Sequence, residues 1–193
     1  AKPDGVHIRI TAKAETENLA KELIDPVEQG LKNILGDAIW GFDNDSIESM
    51  IGDILKRQNL TLAIMESCTG GLLSSTITDI AGSSEYFLGG YVAYTKKLKE
   101  DLGVNSQIIK KYGIVSEEVA LDMARAAKEL AHSDIGIGIT GVTGPSELDG
   151  VKPGTICIGV HTKSSTKSMN YSYYQGRSAT KARATMVALG LLL

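Results

Sequence analysis

The sequence has few of the features that mark secreted, membrane-spanning or nucleic-acid-binding proteins. Its 193 residues include two cysteines, far apart at positions 68 and 157, so neither a disulfide framework nor a zinc ribbon is expected. The formal net charge of −3 offers no general attraction for nucleic acid or anionic lipid. No apolar stretch approaches the roughly 18 residues of a membrane span, and no signal sequence is recognisable. We therefore expect a cytoplasmic protein that binds neither nucleic acid nor a membrane.

Metal ligands are also sparse. The three histidines, His7, His132 and His161, are scattered and form no H-x-x-x-H pair or carboxylate cluster, so we expect neither a metal nor a cofactor. What the sequence does have is an ordinary globular composition, with 42% hydrophobic and 22% charged residues. A folded core is therefore expected.

The first part of the chain has the pattern of a small β-α segment. Residues 5–12 alternate apolar and polar side chains as a half-buried strand does, and helical spacing follows to about residue 34. Gly36 suits a helix C-cap, residues 38–40 are a candidate short strand, and residues 43–45 are polar. These signals predict a domain junction near residue 44, with a segment over 1–44 and a main domain over 45–193.

The rest of the chain alternates strand and helix patterns. Strands are predicted over residues 61–65, 90–95, 134–139, 155–162 and 168–174. Helices are predicted from residue 47, from about residue 69, and over residues 105–111, 116–131 and 178–192. This alternation is typical of a three-layer α/β/α domain with a mostly parallel or mixed sheet.

The turn after the first predicted strand of this domain is the first candidate site. Residues 66–71, which read Glu-Ser-Cys-Thr-Gly-Gly, place hydroxyls, a thiol and two glycines where a strand passes into a helix. In open α/β sheets, ligands bind beyond the carboxyl ends of strands, and free N–H groups at a helix start can hold a phosphate or an oxyanion. Simple helix capping by Ser67 or Thr69 would explain the pattern about as well.

A second candidate turn, residues 139–145, follows another apolar strand. Thr140 ends the strand, the glycines at 136 and 138 indicate close packing, and Gly141 and Gly144 suggest an open loop for contacts with a ligand. The loop matches neither a Walker loop nor G-x-G-x-x-G at a helix start.

Between these turns, Tyr94 lies at a predicted strand end and Lys99 follows five residues later. A lysine in this position is usually solvated. Burial beside a hydroxyl cluster would lower its pKa toward the range useful for a general base. Lys99 is therefore a conditional candidate for activating a serine.

Several motifs occur together in one order, and in that order the sequence resembles the CinA C-terminal family. They are residues 66–71, 79–84, 94–99, 113–116, 140–145 and 176–177. The resemblance covers about residues 46–193. Residues 2–10 resemble the end of the KH-like linking domain of full-length CinA proteins. In those proteins a larger N-terminal nucleotide-hydrolysing domain comes first, and from the resemblance we expect that domain to be missing from this sequence.

The resemblance implies hydrolysis of the carboxamide of nicotinamide mononucleotide to nicotinate mononucleotide and ammonia, without a required metal, by a homodimer. It assigns Ser67 as nucleophile, Lys99 and Tyr94 to proton transfer and positioning, and Thr140 to holding the amide or the nucleophile. The ligand-binding residues would be Thr69, Gly70, Gly71, Gly141, Gly144 and Arg177.

Two other interpretations stay open on the sequence. In one, Cys68 is the nucleophile, with Glu66 and Lys99 as base and stabiliser, because a thiolate is favoured at a helix start. In the other, the domain binds a nucleotide or a regulatory partner without turnover, since a fold can persist after its chemistry is lost.

Overall fold

The computed structural model describes residues 5–43 and 45–193. The chain divides into two compact units, Ala1–Ile47 and Glu48–Leu193. Two sequence predictions fall outside the described residues: residues 2–4 of the linking-domain resemblance, and residue 44, near which the junction was predicted. Among the described residues, none of the helices combines the length and the apolar character that crossing a bilayer requires.

The first unit contains the predicted helix, α1 (Glu17–Leu35). Thr16 caps it by accepting a hydrogen bond from the Leu19 N–H, and Gly36 ends it with a positive φ of 49°. The strands predicted over residues 5–12 and 38–40 are wrong. Residues 6–14 have no regular structure, and in the second stretch Ala38 ends a 3-10 turn (Gly36–Ala38) while residues 39 and 40 are irregular. Alternation alone does not make a strand, because each strand needs a neighbour for its backbone hydrogen bonds, and the described part of this unit contains no ladder.

The second unit is built on a five-stranded mixed sheet in the order β2-β1-β3-β4-β5. The strands are β1 (Leu62–Glu66), β2 (Phe87–Val92), β3 (Ile135–Gly141), β4 (Thr155–His161) and β5 (Thr166–Ser172). β1 pairs in parallel with β2 and β3, whereas β4 pairs antiparallel with β3 and β5. The predicted mixed α/β sheet is confirmed, although β2 and β5 begin earlier than the sequence indicated.

Six helices accompany the sheet. They are α2 (Ile47–Gln58), α3 (Leu72–Thr78), α4 (Lys96–Asp101), α5 (Ser106–Tyr112), α6 (Glu117–Ala131) and α7 (Arg177–Gly190). α4 was not predicted, and α3 begins three residues later than expected, after two positive-φ glycines at positions 70 and 71.

Helices cover both faces of the sheet. On one face, Ala63 and Met65 of β1 pack with Val119 and Met123 of α6 in a buried cluster. On the other, Gly90 of β2 approaches α3, because a Cβ built on it would lie 2.2 Å from the Ser74 Oγ. This arrangement is the predicted three-layer α/β/α architecture.

The contact between α6 and the sheet depends on glycine. A Cβ on Gly138 would lie 2.1 Å from the backbone oxygen of Ala120, and one on Gly136 would lie 1.9 Å from that of Ala124. The close packing predicted at these two glycines is therefore confirmed, and any larger residue would push α6 off the sheet.

Candidate functional site

The ends of three parallel strands meet at one edge of the sheet. Glu66, the last residue of β1, lies opposite Val92 of β2 and Ile139 of β3. The Ser67 N–H continues this pairing by donating to the Ile139 oxygen at 2.9 Å. Residues that are far apart in the sequence, at 67, 93–94 and 140, are thus brought to one edge, as expected for an α/β ligand site.

The turn after β1 is held by the Glu66 carboxylate, which is fully buried. One of its oxygens accepts hydrogen bonds from the Gly71 and Leu73 N–H groups at 3.0 Å each. The other accepts from the N–H and the hydroxyl of Ser74, at 2.9 and 2.6 Å. Both oxygens are engaged at the start of α3, so Glu66 is suited to fix the turn rather than to act as a base. This role of Glu66 in fixing the turn was not predicted from the sequence, although an acid directly before the hydroxyl-glycine turn indicated it.

The central feature of the site is a buried serine-lysine pair. Lys99 Nζ donates to Ser67 Oγ at 2.8 Å and to the Ala93 carbonyl oxygen at 2.7 Å. Ser67 is 8% exposed and Lys99 is 0% exposed. The Thr95 hydroxyl caps α4 by accepting from the Leu98 N–H, and this short helix carries Lys99 inward. The exposed lysines beside it, Lys96 and Lys97, instead pair with acids on the same helix.

Burial has a direct electrostatic consequence for Lys99. Desolvation lowers the pKa of its amine to about 8, and the nearby Cys68 opposes this shift only weakly. The hydrogen bonds of Lys99 are to a hydroxyl and a carbonyl, neither of which compensates its charge. A buried cation without a carboxylate partner favours the neutral amine. Lys99 therefore meets the condition stated for it as a candidate base, which was burial beside a hydroxyl with a lowered pKa.

Cys68, next to Ser67, has the opposite character. Burial raises the pKa of its thiol to about 12, despite the opposing effects of its own backbone N–H and of Lys99. A thiol with this pKa stays protonated near neutral pH and is a poor nucleophile. Because both Glu66 oxygens are also hydrogen-bonded, two of the three groups in the Cys68 interpretation are poorly suited to their roles, and Lys99 is the group that remains.

The N–H groups of the turn are only partly available to a ligand. The Gly70 N–H donates to the Ser67 oxygen at 3.2 Å, and that of Gly71 donates to Glu66. The Thr69 side chain is fully buried, and its hydroxyl has no partner among the described residues. Within the same described chain, no acceptor is recorded for the Thr69 backbone N–H. Of the three residues predicted to contact an anion, Thr69 thus retains a free backbone donor.

The loop after β3 is packed against the protein. The buried Thr140 hydroxyl donates to the Ile114 carbonyl oxygen at 3.0 Å, which joins this loop to the segment before α6. A Cβ on Gly141 would lie 2.7 Å from the Thr155 oxygen, and one on Gly144 would lie 2.6 Å from the Tyr174 ring. Close packing therefore accounts for both glycines, and ligand binding by their backbone stays a prediction.

Arg177 connects this loop to the end of β2. Its guanidinium donates to the Gly144 carbonyl oxygen at 3.0 Å and to the Tyr94 hydroxyl at 2.9 Å. Both Arg177 and Tyr94 are exposed, and Tyr94 makes its recorded hydrogen bond to Arg177 rather than to Ser67 or Lys99. This geometry suits Tyr94 to orienting Arg177. In the described part of the chain, no three His, Cys, Asp or Glu side chains are grouped to share a metal ion.

Comparison with family models decides the relationship. The model of the CinA C-terminal domain matches residues 44–193, and that of the damage-inducible protein CinA KH domain matches residues 1–41. The chain belongs to the CinA family. A putative competence-damage inducible protein of Moorella thermoacetica is 42% identical over all of this chain and 47% of its own length. A CinA-like protein of a Picosynechococcus strain is 48% identical over 79% of this chain and 37% of its own.

Solved CinA structures share the fold. A competence-damaged protein (CinA) superfamily protein from Escherichia coli superposes with a TM-score of 0.72 and 32% identity, over 80% of this chain and 92% of its own. A competence/damage inducible protein from Agrobacterium tumefaciens gives a TM-score of 0.72 and 30% identity, over 79% and 96% of the two chains. The chain spans about half the length of the curated relatives that it matches over its full length.

Proposed function

We propose that the second unit is an amidohydrolase that converts nicotinamide mononucleotide to nicotinate mononucleotide and ammonia, with Ser67 as nucleophile and Lys99 as general base. The observation that carries this proposal is the 2.8 Å contact between the Ser67 hydroxyl and a fully buried amine for which the described residues provide no recorded carboxylate partner. The choice of substrate is the one implied by the CinA resemblance.

The lowered pKa makes the lysine usable as a base. An ordinary lysine, with a pKa near 10.4, is roughly 0.1% neutral at about pH 7.4. With a pKa of about 8, roughly a fifth of the Lys99 amine is neutral at that pH. A positioned amine of this kind can take the proton of a serine hydroxyl at 2.8 Å.

The reaction then follows acyl transfer in two steps. Neutral Lys99 takes the Ser67 hydroxyl proton while Oγ bonds to the carboxamide carbon, and the carbonyl electron pair moves to oxygen. Collapse of this intermediate breaks the C–N bond, and the Lys99 ammonium protonates the leaving nitrogen, which departs as ammonia. Lys99 then deprotonates a water that attacks the acyl ester. Collapse breaks the bond between the acyl carbon and Oγ, the Lys99 ammonium returns its proton to Ser67 Oγ, and the acid product is released and loses its carboxyl proton to solvent.

The surrounding groups have supporting roles in this scheme. In this scheme the buried Thr69 N–H, for which no acceptor is recorded among the described residues, donates to the oxyanion. Glu66 holds the turn through four hydrogen bonds, so this donor and Ser67 keep fixed positions. Arg177, oriented by Tyr94 and Gly144, supplies positive charge for the anionic end of the nucleotide.

The test is ammonia release from nicotinamide mononucleotide, with nicotinamide and nicotinamide riboside as comparison substrates. We expect Ser67→Ala to lower kcat by at least about 1,000-fold, because removing a nucleophile removes the covalent route. Cys68→Ala, its matched neighbour, should stay within about threefold of the unsubstituted protein, because its thiol is protonated.

Three outcomes would overturn parts of the proposal. Activity that survives Ser67→Ala and is lost in Cys68→Ala would reassign the nucleophile. Release from other amides but not from the mononucleotide would reassign the substrate. Saturable nucleotide binding by folded protein without ammonia release over hours would instead make the domain a non-catalytic binding or regulatory module.

A further inference from the structure

Lys181 lies beside the nucleophile turn without having been part of the site predicted from sequence. It belongs to α7, which packs against α3. Its Nζ lies 3.6 Å from the position that a Cβ on Gly70 would occupy. Gly70 has a φ of 63° and is three residues from Ser67. The Lys181 side chain therefore reaches from α7 to the turn that carries Ser67.

Among the described residues, no acid is recorded beside the charge of Lys181. The side chain is half-buried. Three other lysines, Lys56, Lys96 and Lys97, do have acidic partners, Glu85, Glu100 and Asp101. For Lys181, no ion pair or hydrogen bond is recorded across the described ranges 5–43 and 45–193, and the first turn of α7 contains no acid. A partly desolvated ammonium without a counter-charge is unfavourable unless an anion joins it.

A second cation lies on the same side of the helix. Arg177 precedes Lys181 by four residues, so the two side chains are neighbours on one face of α7. Arg177 is fixed by the Gly144 oxygen and the Tyr94 hydroxyl. Two positive groups thus lie together on α7, in a protein whose formal net charge is −3: Lys181 beside the serine turn, and Arg177 anchored to Gly144 and Tyr94. A compact multivalent anion suits this pair better than a neutral group does.

We propose that Lys181 is a substrate-binding residue that contacts the 5′-phosphate of the mononucleotide, between Arg177 and the Gly70 turn. This assignment rests on the proposed function and makes it more specific, because it predicts selection for the phosphorylated substrate over its riboside. Gly70 contributes by leaving open the space in front of the amine, which a side chain would fill.

The test compares the two substrates in matched variants. For Lys181→Met, we expect KM for nicotinamide mononucleotide to rise roughly 10- to 100-fold, which corresponds to the loss of a charge-assisted hydrogen bond. kcat/KM for nicotinamide riboside should change by less than about twofold, because that substrate has no phosphate. Lys181→Arg should restore most of the affinity for the mononucleotide. Equal losses for both substrates, or no loss for either, would overturn the assignment.

A control lysine is available at the other end of the sheet. Lys163 is exposed and follows β4, whose last residue, His161, pairs with Gly136 near the start of β3. Lys163→Met removes the same charge far from the serine turn and should leave both substrates unaffected. An effect equal to that of Lys181→Met would mean that net charge, rather than a local contact, is responsible.

The assignment can also fail separately from the enzymatic proposal. If the unsubstituted protein releases no ammonia, binding of nicotinate mononucleotide and ribose 5-phosphate can be measured by calorimetry. Weaker binding of both by Lys181→Met than by Lys163→Met would support the phosphate contact although the enzymatic proposal had failed. Equal binding by the two variants, or none by the unsubstituted protein, would overturn it.

Discussion

The two glycine-rich turns at the carboxyl edge of the sheet look alike in sequence and differ in what their polar groups do. After β1, buried Ser67 contacts the uncompensated amine of Lys99 at 2.8 Å. At the end of β3, buried Thr140 donates to a backbone carbonyl, and the next glycine is closed in by β4. In the first turn, burial disfavours the charged form of the Lys99 amine that contacts Ser67. In the second, the polar groups make hydrogen bonds and packing contacts within the protein.

This difference separates two reasons for placing glycine after a strand. Gly70 and Gly71 have positive φ angles and let the chain turn so that α3 begins over the Glu66 carboxylate. Gly141 instead provides room for the backbone and side chain of β4, and Gly144 combines a positive φ with close packing against the Tyr174 ring. At the carboxyl end of a strand, the best candidate for a functional residue is therefore a polar group whose charge or hydrogen-bonding capacity the protein leaves uncompensated.

The largest effect that would test this comparison is expected for Lys99→Met. Removing the amine should lower kcat by roughly 1,000-fold, near the middle of the range for a lost general base. In the unsubstituted protein, the pKa of Lys99 is about 8, so kcat/KM should rise with pH and level off above about pH 8, because the neutral amine is the active form. Ammonia release measured from pH 6 to pH 9 checks both statements. A flat profile, or activity retained in Lys99→Met, would contradict the base assignment.

The same lysine should also make the free energy of unfolding depend on pH. Its pKa is lower in the folded protein than the ordinary 10.5, so between about pH 8 and 10.5 the unfolded state binds more protons and stability rises with pH. Below about pH 8 the penalty for burying the charge is fully present, on the order of 3 kcal/mol at 1.36 kcal/mol per pKa unit. Urea unfolding of Lys99→Met should lack this rise, and an identical pH dependence in both proteins would contradict the burial effect.

A smaller effect is expected for Glu66→Gln, which keeps the shape of the side chain. The amide would turn an NH2 group toward N–H donors that now meet a carboxylate, so the free energy of unfolding should fall by about 2–4 kcal/mol. Ammonia release should fall roughly 10-fold through displacement of the Ser67 turn, with an unchanged pH midpoint.

The matched control for Glu66→Gln is Glu85→Gln. Glu85 is 65% exposed and pairs with Lys56 at 3.2 Å, so its loss should cost less than about 1 kcal/mol. Urea unfolding of the two variants measures the difference. Equal destabilisation would mean that the Glu66 hydrogen bonds contribute no more than a surface ion pair does.

Much of the fold could be predicted from the sequence, because long periodic segments determine their own structure. α6 was predicted over 116–131 and spans Glu117–Ala131, with Ser116 as its cap. The failures occur where structure depends on partners. The alternating residues 5–12 form no ladder in the described chain, and α4 is only six residues long, too short for a clear period.

The candidate site was only partly predictable for a related reason. Ser67, Tyr94, Thr140 and Arg177 follow strands or begin a helix, and strand ends can be located from sequence. The burial of an individual side chain cannot be predicted from the sequence in this way. Lys99 sits among exposed lysines in the sequence, and only the packing of α4 shows that it is fully enclosed. Lys181 likewise has no distinguishing neighbour in the sequence, since its approach to Gly70 depends on the contact between α7 and α3.

The smallest effect is expected at the second turn, for Gly144→Ala. Gly144 has a φ of 78°, which costs an alanine roughly 1–2 kcal/mol, and the new methyl group would lie 2.6 Å from the Tyr174 ring. Any shift of the loop moves the carbonyl oxygen that holds Arg177. We expect KM for the mononucleotide to rise about threefold to tenfold while kcat stays nearly constant, because the turn orients a binding residue and holds no reacting group.

Gly150→Ala separates the two causes of this effect. Gly150 has nearly the same φ, 77°, and no atom within 4 Å of the position where its Cβ would be. It should therefore show the backbone cost without the clash, and KM should be unchanged. Tyr174→Ala removes the obstructing ring, so the further stability loss when Gly144→Ala is added to Tyr174→Ala should fall to that of Gly150→Ala. If kcat instead dropped as strongly in Gly144→Ala as in Lys99→Met, the second turn would have to be assigned a part in bond-making, and the contrast with the first would fail.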